Sequence, residues 1–253
     1  MGTPIASMER RRPLGFHWAN LVVRACWQAW PMPEDATSEH RQLAWAPFIY
    51  ENPDWLRRRD SEAARWIMIR SRDESQRPIV RVDTDATHWR RDDGPIGKVG
   101  RAGSVITNRS GSGRGPTLAF NPTDKCMAGA LACAKGYSFV AVEHPSLPLH
   151  GWAAAVGAVD LHTGHPVVDS VSEQHRDRIA FIVSQAYNGW KAAGRMVSGA
   201  MAELANGGLS WWDFVGSIFA VDPRRVEVES LRQLAPQRWQ EEDKAWRRRI
   251  TRP

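Results

Sequence analysis

The sequence has no long hydrophobic run. No stretch of about 18 consecutive apolar residues occurs in the 253-residue chain, so a membrane-spanning helix is not expected. Arg10-Arg11-Arg12 is followed by no apolar segment before Phe16, which argues against a secretory signal peptide. We therefore expect a cytoplasmic protein that has no membrane partner.

Cysteine is scarce, and its three residues are not spaced as metal ligands. Cys126 and Cys133 lie seven positions apart on a predicted helix, which separates them by about 10 Å of helical rise. Because that distance is too long for a disulfide, both are expected to be core thiols in a reducing compartment. The sequence identifies no cofactor and leaves the oligomeric state open.

Lysine and tyrosine are also rare. Arginine supplies most of the 34 basic residues, and the formal net charge is +6 with a pI of about 9.6. An arginine excess is typical of GC-rich genomes as well as of proteins that bind anions, and both explanations stay open. The chain has 13 tryptophans but only 3 tyrosines. Because a tryptophan ring is costly to expose, many of these rings are expected to be packing anchors.

Residues 116–143 predict a strand, a helix and a second strand. The first strand ends at Asn121-Pro122, Thr123 is placed to cap an alanine-rich helix, and the second strand covers residues 137–143. This order within one short segment is typical of a right-handed βαβ crossover, and hence of a parallel sheet. Residues 79–82 predict one more short strand.

We therefore predict an α/β fold with a small parallel or mixed sheet, formed by residues 79–168, that contains the βαβ unit. N-terminal helices are expected at residues 14–30 and 54–72, and further along the chain a helix at 149–161 and an edge strand at 166–168. The chain then divides into an α/β domain at residues 1–170 and a C-terminal helical module at residues 171–253, which could pack on the same core.

Polar residues follow the predicted strands at the edge where open α/β sheets bind ligands. Asn121 and Thr123 follow one strand and are candidate ligand-binding residues. Glu143 and His144 follow the next strand, and Asp83 ends another, so these three are the catalytic candidates. A carboxylate at this edge can be partly desolvated, which moves its pKa toward values suited to acid–base chemistry. The alternative is that Glu143 is a buried partner of an arginine.

Residues 90–116 are predicted to be a long, irregular, glycine-rich and basic loop. A phosphate-binding P-loop is not indicated, because Lys98 is followed by Val99 and not by serine or threonine. We expect instead a mobile loop that closes over an anionic ligand at the sheet edge. Its basic residues are the candidate ligand contacts: Lys98, Arg101, Arg109 and Arg114.

Arginine clusters beside tryptophan suit contact with phosphates together with base stacking. The candidate nucleic-acid-binding residues are Arg57, Arg58, Arg90, Arg91, Arg247 and Arg248. Each cluster also has acidic neighbours, so an ordinary charged surface is the alternative interpretation.

The histidines and carboxylates of residues 160–169 have two interpretations as well. They are either metal ligands or exposed side chains at the end of a helix. No metal is predicted there.

Three hypotheses for function follow from these features. The first is a basic α/β protein, regulatory or accessory, that associates with nucleic acid or another anionic partner. The second is an enzyme that acts on a nucleotide or phosphorylated small molecule at the carboxyl edge of the sheet. The third is a structural subunit that docks on a protein partner through its tryptophan-rich helices. The sequence does not decide whether the protein is an enzyme.

Overall fold

A six-stranded parallel sheet forms the centre of the protein. The structure is a computed structural model, and it describes residues 41–83, 94–107, 113–169, 171–185, 194–223 and 227–250. The strands are β1 (Leu43–Ala46), β2 (Ile79–Val82), β3 (Ser104–Thr107), β4 (Thr117–Phe120), β5 (Phe139–Val142) and β6 (Val159–Asp160). They lie in the order β3-β2-β4-β5-β1-β6, and every pair is parallel. The predicted α/β class is confirmed.

Nine helices accompany the sheet within the described part of the chain. They are α1 (Pro53–Asp73), α2 (Pro95–Ala102), α3 (Asp124–Cys133), α4 (His150–Val156), α5 (Glu173–Gln185), α6 (Gly194–Asn206), α7 (Trp211–Val221), α8 (Val228–Leu234) and α9 (Gln237–Ile250). Among the described residues, no helix has the length and apolar character that would let it cross a membrane. The helix predicted at residues 14–30 lies outside the described residues.

The helices cover the sheet on both faces. Successive residues of a strand point to opposite faces, and Leu118 of β4 packs with α1 and α2 while Ala119 packs with α3 and α4. Helices α5 to α9 add their apolar residues to the same core cluster as α3 and α4. The described parts of the C-terminal helices therefore share a core with one face of the sheet.

Local signals set the helix starts that the sequence predicts. The Oγ of Thr123 accepts a hydrogen bond from Cys126 N at 3.3 Å and caps α3, as expected. The side chain of Asn52 caps α1 in the same way through Trp55 N at 3.0 Å. Pro53 follows in the first turn of α1, where its missing N–H costs nothing.

Strand β1 was not predicted, although it lies between β5 and β6 in the sheet. The prediction that residues 79–168 form the whole sheet was therefore wrong. Ala44, Trp45 and Ala46 are all buried, so both faces of the strand are covered. A short strand that is buried on both faces shows no apolar–polar alternation in its sequence.

Residues 95–102 form helix α2, so the prediction of an irregular loop was wrong over this segment. Pro95 occupies the first turn, and Ile96 and Val99 are three positions apart and buried against the α1 side of the sheet. Steric crowding explains why a glycine, Gly103, follows α2. A Cβ atom on Gly103 would lie 1.8 Å from the main-chain oxygen of Pro78.

The predicted helix at 149–161 was also too long. Helix α4 ends at Val156, because Gly157 adopts a left-handed conformation with φ of 61°. The chain then enters β6, which pairs with β1. Residues 166–168 form no strand, and Pro166 makes an isolated bridge to Val159 instead.

Candidate functional site

The carboxyl ends of four adjacent strands bring the predicted edge residues into one row. Asn121 follows β4 and donates from its main-chain N to Val142 O at 3.0 Å. Glu143 follows β5 and donates from its main-chain N to Ala46 O of β1, also at 3.0 Å. Asp83 follows β2 on the other side of β4. We call this row the carboxyl edge.

At two positions on this edge, neighbouring strands lead into helices on opposite faces of the sheet. Strand β2 leads to α2 and β4 to α3, and these helices lie on different faces. Strand β1 leads to α1 and β5 to α4, again on different faces. Such divergent connections are where open α/β sheets form a ligand crevice.

The β1/β5 position is filled by the side chain of Glu143, which is 4% exposed. Its Oε2 accepts from Trp45 Nε1 at 2.6 Å and from Leu149 N at 3.1 Å. Burial raises the pKa of Glu143 to about 7, against the opposing effect of these hydrogen bonds and of Arg59. Glu143 thus links the loop before α4 to β1 through hydrogen bonds. A ligand would reach the Glu143 carboxylate only if these hydrogen bonds were broken.

Arg59 and His144 lie beside this buried carboxylate. Arg59 is buried, and its Nη1 donates to the main-chain oxygen of Glu143 at 2.9 Å. His144 Nδ1 lies 2.6 Å from Ser146 Oγ. Burial, and then the charge of Arg59, lower the pKa of His144. Both effects favour the neutral form of the His144 ring.

The β2/β4 position presents acceptor groups. Thr123 is exposed, and its hydroxyl donates to the carboxylate of Asp83. Asn121 adopts a left-handed conformation with φ of 45°, which asparagine tolerates better than most residues. Its Oδ1 is buried and has no hydrogen-bond partner among the described residues. We call these three residues, together with the N-terminus of α3, the β2/β4 crevice.

The C-terminal end of α9 also reaches the carboxyl edge. Trp246 Nε1 donates to the main-chain oxygen of Pro145, in the loop after β5, at 2.6 Å. Arg249 forms an ion pair with Glu51, just before α1. The ion pair therefore brings the arginine cluster in the last turn of α9 to the loop before α1, whose first turns carry a second arginine cluster. We call them the arginine surface: Arg57, Arg58, Arg247, Arg248 and Arg249.

The predicted basic ligand contacts do not come together. Arg101 is in the last turn of α2 and Arg114 precedes β4, so both lie at the amino edge, away from Asn121 and Thr123. Lys98 is exposed midway along α2. Arg109, Arg90 and Arg91 lie outside the described residues.

One polar pair at the edge was missed by sequence reasoning. His150 Nδ1 of α4 lies 3.1 Å from Asp213 Oδ1 of α7, and the hydrogen bond to Asp213 raises the pKa of His150. The pair depends on the packing of α4 against α7, where Gly151 and Gly216 permit close approach, so no local signal could have found it. Within the described ranges, no group of three or more His, Cys, Asp or Glu side chains could hold a metal ion.

A comparison of the chain with protein-family models, with curated proteins and with solved structures finds no match. A function for this protein therefore has to be argued from its own residues.

Proposed function

We propose that the protein associates with nucleic acid through the arginine surface. One observation carries this proposal: the contacts of Trp246 and Arg249 bring the arginine cluster of α9 to the carboxyl edge, where α1 begins with an arginine cluster of its own. Clustered guanidinium groups on one face are the electrostatic footprint of a protein that binds a phosphate backbone.

The ion pairs of this surface are weak enough to be exchanged for phosphates. Arg57 pairs with Asp54, and Arg249 pairs with Glu51, but all four side chains are more than half exposed. Exposed ion pairs contribute about 0–1 kcal/mol. A phosphate group, which arginine binds in a bidentate manner, can therefore replace these carboxylates at little cost.

The last turn of α9 concentrates three guanidinium groups. Arg247, Arg248 and Arg249 are exposed in the last turn of the helix, where cations interact favourably with the helix dipole. The nearest carboxylate on this helix, Asp243, is buried and accepts hydrogen bonds from Arg232 and Arg247. The exposed side chains of this last turn are therefore all arginines.

Fluorescence anisotropy with labelled oligonucleotides tests the proposal. The variant Arg58→Glu/Arg248→Glu changes one residue from each cluster and leaves the ion pairs with Asp54, Glu51 and Asp243 in place. We expect its affinity to fall by about tenfold or more, and the wild-type affinity to fall steeply with salt.

The matched control is Arg101→Glu/Arg114→Glu, which makes the same charge change at the amino edge. It should bind nearly as the wild type does. Equal losses in both variants would mean that only net charge matters, and no wild-type binding at low salt would reject the proposal.

A second candidate function is supported by the β2/β4 crevice. Asp83 offers a carboxylate and Asn121 a buried acceptor oxygen, both suited to ligand hydroxyl groups. The N-terminus of α3 offers main-chain N–H groups to a phosphate. This combination favours an enzyme acting on a nucleotide or phosphorylated small molecule.

Thermal shift measurements with nucleoside phosphates and sugar phosphates test this second candidate. A ligand that stabilises the wild type should stabilise Asp83→Asn less. Asp73→Asn, at the end of α1 and the amino edge, is the control.

The third hypothesis, docking through tryptophan-rich helices, gains little support, because the described tryptophans are buried or partly buried.

A further inference from the structure

An exposed aromatic ring lies beside the arginine surface. Tyr50 is 52% exposed and precedes Glu51, the partner of Arg249. Among the described residues, the other large apolar side chains with comparable exposure are aliphatic: Ile69, Val168 and Met196. Among these four exposed side chains, the aromatic one is therefore the neighbour in sequence of the residue that pairs with Arg249.

The backbone that carries Tyr50 is anchored on both sides. Ile49 packs against the core under α1, and its main-chain oxygen accepts from Asn52 N at 3.1 Å. Tyr50 and Glu51 are thus the two central residues of a tight turn. Asn52 itself caps α1. The ring is therefore presented to solvent from a fixed backbone. A ligand that stacks on it should consequently cost little conformational entropy of the protein.

We propose that Tyr50 is a stacking platform for an unpaired base, so that the partner of the arginine surface is single-stranded nucleic acid. This inference rests on the proposed association with nucleic acid. Bases in a duplex are already stacked on each other, and only an unpaired base offers its face to a protein ring. Charge alone would favour the duplex, which has the higher charge density. A preference for single strands would therefore come from the ring.

The experiment compares a labelled oligothymidylate of about 20 nucleotides with a duplex of equal length, by anisotropy. The wild type should bind the single strand more tightly. Tyr50→Ala should weaken single-strand binding by about five- to a hundredfold, with an unchanged salt slope, since no charge is lost. Tyr50→Phe should keep most of the affinity, because it retains the ring.

Met196→Ala removes an exposed side chain of α6 and is the control for loss of apolar surface. Melting curves should show that all three variants are folded. If the arginine variant loses binding but Tyr50→Ala binds as the wild type does, or if the duplex binds as tightly as the single strand, the stacking role is overturned and the arginine surface stands. If the wild type binds neither probe, the proposed function itself fails.

Discussion

The indole of Trp246 donates a hydrogen bond to the main-chain oxygen of Pro145, 2.6 Å away and 101 positions earlier in the chain. Pro145 belongs to the loop that Glu143 and Leu149 hold against β1. The bond therefore places the end of the last described helix, with its arginines, on the carboxyl edge of the sheet. The arginine surface therefore depends on a tertiary contact between distant parts of the chain.

The Trp246 contact gives a first prediction. Trp246→Phe keeps an aromatic ring but removes the indole N–H, so stability should fall by about 1 kcal/mol. Trp246→Ala should also release the end of α9, with faster hydrogen exchange in residues 244–250 and weaker nucleic-acid binding. Exchange that matches the wild type in Trp246→Ala would show that Arg249 and Glu51 suffice to dock the helix.

The buried carboxyl of Glu143 predicts a pH-dependent stability. Because burial raises its pKa to about 7 in the folded protein, the folded state binds a proton more tightly than the unfolded chain, whose glutamates titrate near 4.3. Stability should therefore decrease as the pH rises through this window and become flat above pH 7. Melting temperatures across this range should show the slope in the wild type and a smaller one in Glu143→Gln. Equal slopes would contradict the assignment.

The cap of α3 gives a third prediction. Thr123 caps the helix and also donates to Asp83, so Thr123→Ala should lower the free energy of unfolding by about 1 kcal/mol. Thr123→Ser keeps the hydroxyl and should lose much less. Denaturant titration measures both. A zero change in the alanine variant would mean that the helix start is stabilised by other groups.

Gly103 gives a fourth prediction, which concerns packing alone. Gly103→Ala forces a Cβ atom against the main-chain oxygen of Pro78, and since backbone cannot move as a side chain can, the loss should be about 2 kcal/mol or more. Gly199→Ala is the control, because a Cβ atom there meets nothing within 4 Å. That variant lies within α6 and should be neutral or stabilising. Similar melting temperatures for the two would contradict the close approach.

The sequence determined the elements whose signals are local. Thr123 and Asn52 mark helix starts through their own side chains, and the apolar strands on either side of α3 follow from residues 116–143. These features depend on neighbours a few positions away, so a pattern along the chain is sufficient to predict them.

Only the tertiary structure decided the rest. Strand β1 is recognisable by its pairing with β5 and β6. Arg59 is buried where it donates to Glu143 across the sheet edge. Helix α9 reaches the same edge through Trp246. Each of these contacts joins residues that are distant in sequence. Their free energy comes from burial and hydrogen bonding between elements, which the order of residues along one element does not encode.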